Sequence, residues 1–447
     1  MDEFLNKLLS QIRCKKARPF IRDEIRIHIE EQISDNIRAG MDKEEAEREA
    51  IKDMGDPIEI GISLDRIHKP QINWKMLAII IVISSLGLFL QYAISIKLNK
   101  DNIATGNSDG GINFAVSVLL GLAVMLFLYL IDYTTIGKYS KVIGAIMNIA
   151  AIHAILFGST VAGRIEFIGF GPFRIQSTAF MMFYIPIYGA IIYKYRGGGF
   201  IAFIRAILWM LVPVFLVFRF PSLVVTGIML ISMLVQLTIA LAKGWFQLSA
   251  KRTIILLWLS AIAFSIICTI LFNPLSKYQA ERITEFYRSS GESFWLTETL
   301  RKLLQNIAVI GSSGSELIGY LPDINRDYIL SYVLNTYGLL AGVLLIALLA
   351  VLLLSIFSTA INQKNQLGCV MGCGCGMVLL MNIAINILGC LGLIPSTSSF
   401  LPFYSAGGSN LILSYALVGI VLSIYRFKSV YPQHVSVKLM QMKASIN

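Results

Sequence analysis

The sequence predicts an all-α, polytopic membrane protein with about ten transmembrane helices and a small soluble helical domain ahead of them. Three observations predict it. Of 447 residues, 56% are hydrophobic and only 15% charged, and the mean hydropathy is +0.69, which is not the composition of a water-soluble domain. From residue 74 onward, apolar runs recur at about the 20 residues that a bilayer-crossing helix needs. The first 72 residues are instead rich in charge and carry a single apolar stripe. No short apolar run with a small-residue cleavage site opens the chain, so no cleaved signal peptide is expected.

Residues 1–72 read as a small helical bundle. Ile21, Ile25, Ile29, Ile33 and Ile37 recur every four residues, one apolar stripe on a charged helix. Gly40 ends that helix, and Asp42 with Glu45 resembles a capping box opening the next. That helix stops at Gly55, with Pro57 just beyond. The apolar spans follow at about 75–97, 113–132, 142–163, 178–193, 200–218, 223–242, 253–272, 328–357, 368–393 and 408–425. The fourth is short. The fifth and sixth are parted only by Arg219, Phe220, Pro221 and Ser222, a hairpin or a re-entrant turn.

Basic residues cluster in alternate loops: Lys138 and Lys141; Lys194, Arg196 and Arg205; Lys243, Lys251 and Arg252; Lys364; and the tail from 428 to 447. By the positive-inside rule that side, which also carries the amino-terminal domain, is cytoplasmic. Both termini are then cytoplasmic, and a large loop at about 273–327 lies outside the cell. The net charge of +11 thus reflects membrane topology, and no nucleic-acid partner is expected. A secondary consequence is attraction to anionic lipid head groups. The run GCVMGCGCG, residues 368–376, has poor spacing for a tetrahedral metal site, and small residues that allow close helix packing account for it better.

The stretch YLPDINRDYIL, residues 320–330, lies where a polar segment gives way to a long apolar run. Its last acid, Asp327, is expected at the mouth of a membrane helix, where a substrate with a lipid tail and a polar head can reach it. An ionisable group at membrane depth is costly and points to function. The alternative is an acid that marks a helix start, where negative charge suits the macrodipole.

Three motifs bear on this choice. GSSGSELIGYLPDINRDYIL (311–330) is similar to a glycine-containing segment followed by LPE-x-H-T-D-F-I. NILGCLGLIPSTSSFLPFYSAGGSN (386–410) is similar to N-I-G-x-x-x-G-L-L-P-T-x-G-x-x-L-P-F-x-S-Y-G-G-S-S, keeping Asn386, Pro395, Leu401, Pro402, Phe403, Ser405, Gly407, Gly408 and Ser409 in register. IGFGPFRIQST (168–178) is a weaker match to W-I-x-x-G-x-x-x-x-Q-P-S-E, and IDYTTIGKY (131–139) fits the end of a second span. By these stretches, residues from about 73 to 427 resemble the SEDS family (shape, elongation, division and sporulation), the FtsW/RodA/SpoVE-like glycosyltransferases. The chain departs from the family where Asp323, Asn325 and Arg326 replace a glutamate, a histidine and a threonine, and where two glutamates fall on Asn335 and Thr336.

The resemblance implies a peptidoglycan glycan-strand polymerase in division, elongation or sporulation. Its substrate would be lipid II, a disaccharide-pentapeptide on undecaprenyl pyrophosphate. The family's catalytic acid falls on Asp327, as general base for an acceptor hydroxyl attacking the donor's anomeric carbon. The pyrophosphate leaving group needs charge stabilisation more than protonation. Arg282 best fits the family's loop base, with Arg288, Arg301 and Arg326 beside it; the plainer account of each arginine is a solvated charge or a pair with Glu281, Glu285 or Glu298. Substrate contacts are implied at Arg282, Tyr320, Pro322, Asp323 and Arg326, and at Ser405, Gly407, Gly408 and Ser409. No metal site and no certain cofactor follow, with a divalent cation left open. The implied protein partner is a transpeptidase, a class B penicillin-binding protein, in the bacterial cytoplasmic membrane. Two other classes stand beside this one: a catalytically weak scaffold regulating a transpeptidase, and a flippase of lipid-linked precursors. The flippase ranks last, because only His153 sits deep in a span. The first 72 residues look like the helical permease-prefix modules of bacterial membrane proteins, which implies a regulatory or protein-binding role.

Overall fold

The computed structural model describes residues 1–100, 110–161, 164–170, 173–220, 222–272, 284–288, 291–314, 321–395, 397 and 399–432. The chain divides into two compact units. One holds Met1–Asn73 with Gln363–Gln366 and the chain from Ile424 onward; the other holds Trp74–Asn362 with Leu367–Ser423.

The first unit contains α1 (Asp2–Ser10), α2 (Arg18–Arg38), α3 (Lys43–Asp53) and α4 (Pro57–His68). Of the expected isoleucine stripe, Ile21, Ile25 and Ile29 are buried, Ile33 is half-buried and Ile37 is exposed. The cause is geometric. Four residues turn an α-helix by about 400°, so each step moves the side chain about 40° around the axis, and the stripe winds off the buried face. Asp42 does stand at the head of α3, but its side chain makes no capping bond. Asp56 caps α4, accepting from the Ile58 N–H at 3.0 Å. Buried Asp65 is compensated by Arg13, through the backbone N–H at 2.8 Å and the guanidinium at 3.1 Å. Residues 424–432 pack in this unit too. Gln71 N–H donates to the Arg426 carbonyl at 3.0 Å, His68 Nδ1 donates to the Ser429 carbonyl at 2.6 Å, and Phe20 meets Tyr431 edge to face at 5.7 Å.

The second unit is the apolar bundle. In order it contains α5 (Trp74–Lys100), α6 (Gly110–Leu130), α7 (Tyr133–Phe157), β1 (Ser159–Val161), β2 (Arg164–Phe170), β3 (Phe173–Gln176), α8 (Ser177–Met182), α9 (Tyr184–Tyr193), α10 (Phe200–Phe218) and α11 (Leu223–Ala242). It continues with α12 (Ala250–Phe272), α13 (Glu292–Gln305), α14 (Ile329–Tyr337), α15 (Leu339–Ile361), α16 (Gln366–Cys390) and α17 (Gly408–Arg426), whose ends at 366 and from 424 belong to the first unit. Among the described residues nine helices are long and apolar enough to cross a membrane: α5, α6, α7, α10, α11, α12, α15, α16 and α17. The all-α polytopic class therefore holds, with three local differences.

The expected fourth span is a pair of short helices, α8 and α9, parted at Phe183. Pro186 lacks an N–H, and its ring crowds the carbonyl four residues back, which interrupts the helical ladder there. The expected run 328–357 is cut in two at Gly338, whose φ of +93° no hydropathy reading detects. The expected third span ends early, and the three strands that follow it form a small antiparallel sheet in the order β1-β2-β3, with Phe167 opposite Gln176 and Ile168 opposite Ile175.

The centre of the bundle is α16 and α17, each 72% buried over its apolar window, against 6% for α12. The glycine- and cysteine-rich run lies on α16, and its small residues admit neighbouring helices. A Cβ on Gly374 would strike Gln236 of α11, whose Nε2 donates to the Val370 carbonyl at 3.0 Å.

Candidate active site

Two chain segments that carry no regular structure meet at one end of this bundle. The first is 321–328, a series of turns between Leu321, which is buried, and α14. Asp323 sits at φ +47°, a region that aspartate tolerates better than bulky residues do. Its carbonyl accepts from Arg326 N–H at 2.9 Å, which closes the turn. The second segment, 399–407, leads into α17. Phe403 there is held at φ +68° although buried, an outlier for a large side chain. It stacks edge to face on Tyr415 at 5.1 Å, and its carbonyl lies 2.7 Å from where a Cβ on Gly87 would be, so α5 can approach only because residue 87 is glycine.

Three consecutive carbonyls of the first segment are clamped by the bundle. Asn325 O accepts from Gln91 Nε2 at 2.8 Å and from Ala406 N–H at 2.8 Å. Arg326 O accepts from Ser405 Oγ at 2.6 Å, while the same Oγ accepts from Leu401 N–H at 2.7 Å. Asp327 O accepts from Asn386 Nδ2 at 2.9 Å, and Cys390 Sγ lies 3.6 Å away. Asn386 also donates to the Ser399 carbonyl at 3.0 Å. The backbone that carries Asn325, Arg326 and Asp327 is thus fixed by α5, α16 and the 399–407 segment together, which is what a precisely placed side chain requires. Asp327 itself is half-buried.

A pocket of about 190 Å³ opens beside this clamp. Its walls are Gly110, Asn113, Phe114 and Ser117 of α6, Asn325 and Arg326, and Ala406, Gly407 and Gly408 at the head of α17. An arginine and the first residues of a helix lining one hollow favour an anionic, oxygen-rich group.

The sequence-derived residues divide accordingly. Arg326, Gly407 and Gly408 line the pocket, and Asp327 is the next residue along the clamped backbone. Ser405 and Ser409 serve the backbone: Ser405 clamps Arg326 O, and Ser409 Oγ accepts from Gln176 N–H at 3.0 Å. Pro322 and Asp323 are exposed and outside the pocket lining. Arg282 and Tyr320 lie outside the described residues. Arg301 is a structural arginine, donating twice to the Gly392 carbonyl at 3.1 and 2.8 Å, while Glu298 pairs with Lys302 at 2.8 Å. Asp132 of the IDYTTIGKY stretch caps α7, accepting from Thr134 N–H at 2.9 Å. Asn335, where the family has a glutamate, is buried and donates to Ser313 Oγ at 2.6 Å. Among the described residues no three His, Cys, Asp or Glu side chains gather as a metal-ligand set.

Gln91 is the residue that sequence reasoning missed. It is 1% exposed and spends both Nε2 protons, on Asn325 O at 2.8 Å and on Tyr404 O at 2.7 Å. Its signal was available: a lone amide within an apolar span calls for a partner. Gln91→Leu removes both donors and strands the Tyr404 carbonyl, a cost of about 1–3 kcal/mol. The thermal unfolding midpoint of the purified protein is expected to fall, and an unchanged midpoint would contradict the clamp.

The fold and the site together define a multi-pass membrane protein with a polar site at one end of its helical bundle. Residues 73–430 match the profile of the FTSW_RODA_SPOVE family, described as cell cycle protein, and the chain belongs to that family. It is 39% identical to the probable peptidoglycan glycosyltransferase FtsW of Enterococcus hirae over 126 residues, 28% of this chain and 31% of that one. It is 25% identical to stage V sporulation protein E of Bacillus subtilis (strain 168) over 376 residues, 79% of this chain and 96% of the relative. A solved chain from work on structural coordination of polymerization and crosslinking by a peptidoglycan synthase complex has the same fold. The TM-score is 0.63 at 20% identity, over 80% of this chain and 98% of that one.

Proposed function

We propose that this chain is a peptidoglycan glycosyltransferase that polymerises glycan strands from lipid II, with Asp327 as general base. The observation that carries the reading is the clamp. It holds Asp327 on fixed backbone beside a pocket that presents Arg326 and the head of α17. In the proposed step the acceptor hydroxyl gives its proton to the Asp327 carboxylate as its oxygen bonds to the donor's anomeric carbon. The bond from that carbon to the pyrophosphate oxygen breaks, and the electron pair leaves with the pyrophosphate. Arg326 and the α17 amino terminus balance the added charge. Family membership and relatives named as probable peptidoglycan glycosyltransferases support the same reading. The test is the purified protein with lipid II alone: glycan oligomers on a gel are expected, and their absence from folded protein removes the proposal.

The proposal extends to setting. Both termini face the cytoplasm of a bacterial cell and Asp327 faces outward, as the basic loops imply. In a cysteine-free background, a membrane-impermeant thiol reagent should label Ser312→Cys and spare Lys43→Cys in intact cells; the reverse pattern inverts the topology. A class B penicillin-binding protein is the proposed partner, supported by the likeness to a chain whose study concerns polymerization coordinated with crosslinking.

A further inference from the structure

Charge in the first unit is segregated along the chain. Every acid of residues 1–73 except Asp2 and Glu3 lies within 23–65. Residues 13–22 carry Arg13, Lys15, Lys16, Arg18 and Arg22 and no acid; residues 66–73 carry Arg66 and Lys69 and none; residues 424–432 carry Arg426 and Lys428 and none. The fold gathers these three acid-free segments into one corner. Lys16 Nζ stands 4.9 Å from the centre of the Phe427 ring, and Arg426 Cζ stands 5.3 Å from the same ring. Lys428 Nζ lies 4.2 Å from the Tyr425 ring. Gln71 N–H on the Arg426 carbonyl and His68 Nδ1 on the Ser429 carbonyl tie the second segment to the third. Lys15, Lys16 and Lys69 are exposed. Arg13 and Arg22 are offset by Asp65 at 3.1 Å and Asp2 at 4.0 Å, and the other cations of the three segments raise the local potential and favour a bound anion.

Trp74 begins one helix long and apolar enough to cross a membrane and Arg426 ends another, so chain continuity alone keeps residues 69–73 and 426–428 within a few residues of two span ends. Tyr425 and Tyr431, both half-buried, are of the residue type that settles at that level, while Phe427 is buried beneath Lys16. We propose that this corner binds the head group of an anionic glycerophospholipid. Lys15, Lys16, Lys69, Arg426 and Lys428 would meet the phosphate, and the acyl chains would enter the adjoining leaflet.

The test uses the full-length protein titrated with short-chain phosphatidylglycerol, short-chain phosphatidylcholine and inorganic phosphate. Hydrogen exchange of residues 13–22 and 424–432 is the local readout. Phosphatidylglycerol is expected to bind and to protect both segments, phosphatidylcholine and phosphate much less. A cation near the membrane surface is worth about fivefold in affinity. The triple variant Lys15→Gln, Lys16→Gln, Lys428→Gln should therefore bind roughly 100-fold more weakly. Arginine at the same three positions should restore wild-type binding, and Lys43→Gln with Lys52→Gln, elsewhere on the unit, should leave it unchanged. Equal binding of phosphatidylcholine, equal binding of inorganic phosphate, wild-type affinity in the glutamine variant, loss in the arginine variant, or equal loss in the Lys43/Lys52 control would each overturn the site.

Discussion

Asp327→Asn is expected to slow lipid II polymerisation by about 10²–10⁴-fold, the usual contribution of a positioned general base. The protein should stay folded, because what Asn386 and Cys390 engage at this residue is its backbone carbonyl. Lipid II affinity should change little, since Arg326 and the head of α17, not the Asp327 side chain, line the pocket. A rate loss with binding retained identifies a base; a loss of binding alone identifies a substrate contact. Asp323→Asn is the matched control. That residue is exposed at φ +47°, a conformation asparagine accepts as readily as aspartate, so its variant should polymerise at close to the wild-type rate. If Asp327→Asn polymerises as fast as wild type, the base lies elsewhere and a scaffold that regulates a transpeptidase becomes the better account.

The largest structural effect is expected at Gly338. Its φ of +93° and ψ of 176° fall in a region open in practice only to glycine. Alanine there costs about 1–3 kcal/mol in backbone strain alone. Its Cβ would also lie 2.9 Å from Val309 O and 3.0 Å from Ala308 O, both backbone atoms. Those carbonyls are in use, accepting from Leu340 N–H at 3.2 Å and Leu339 N–H at 2.9 Å. The same segment continues through Gly311 N–H to Tyr337 O and Ser313 N–H to Asn335 O. Gly338→Ala must therefore unseat residues 308–313 from α14, the helix that Asp327 precedes. A lower unfolding midpoint and reduced polymerisation are expected together. A variant as stable as wild type would show that the chain turns differently between α14 and α15.

The membrane spans were legible in the sequence because transfer of apolar side chains from water is a local property, summed over each run of about 20 residues. Gly40, Gly55 and Pro57 likewise end or open helices through their own backbone preferences. The two longer motifs contain the segments 321–328 and 399–407 that the structure brings together, because motif spacing is kept whatever surrounds it. The breaks at Gly338 and before Pro186 were written in single residues, but hydropathy averaged over a window passes across them. The isoleucine stripe predicted a buried face correctly at Ile21, Ile25 and Ile29 and failed at Ile37, where a four-residue repeat has rotated away from the core.

The site's precision belongs to the tertiary structure. Gln91 reaches Tyr404 across 313 positions of sequence, Asn386 reaches Asp327 across 59, and Ser405 reaches Arg326 across 79. No local pattern encodes such pairs. Composition and periodicity state which residues leave water, and family spacing states which residues belong to one motif. Which carbonyl each buried amide or hydroxyl satisfies depends on where distant helices come to rest, because a buried polar group takes whichever partner the packed bundle brings within 3 Å.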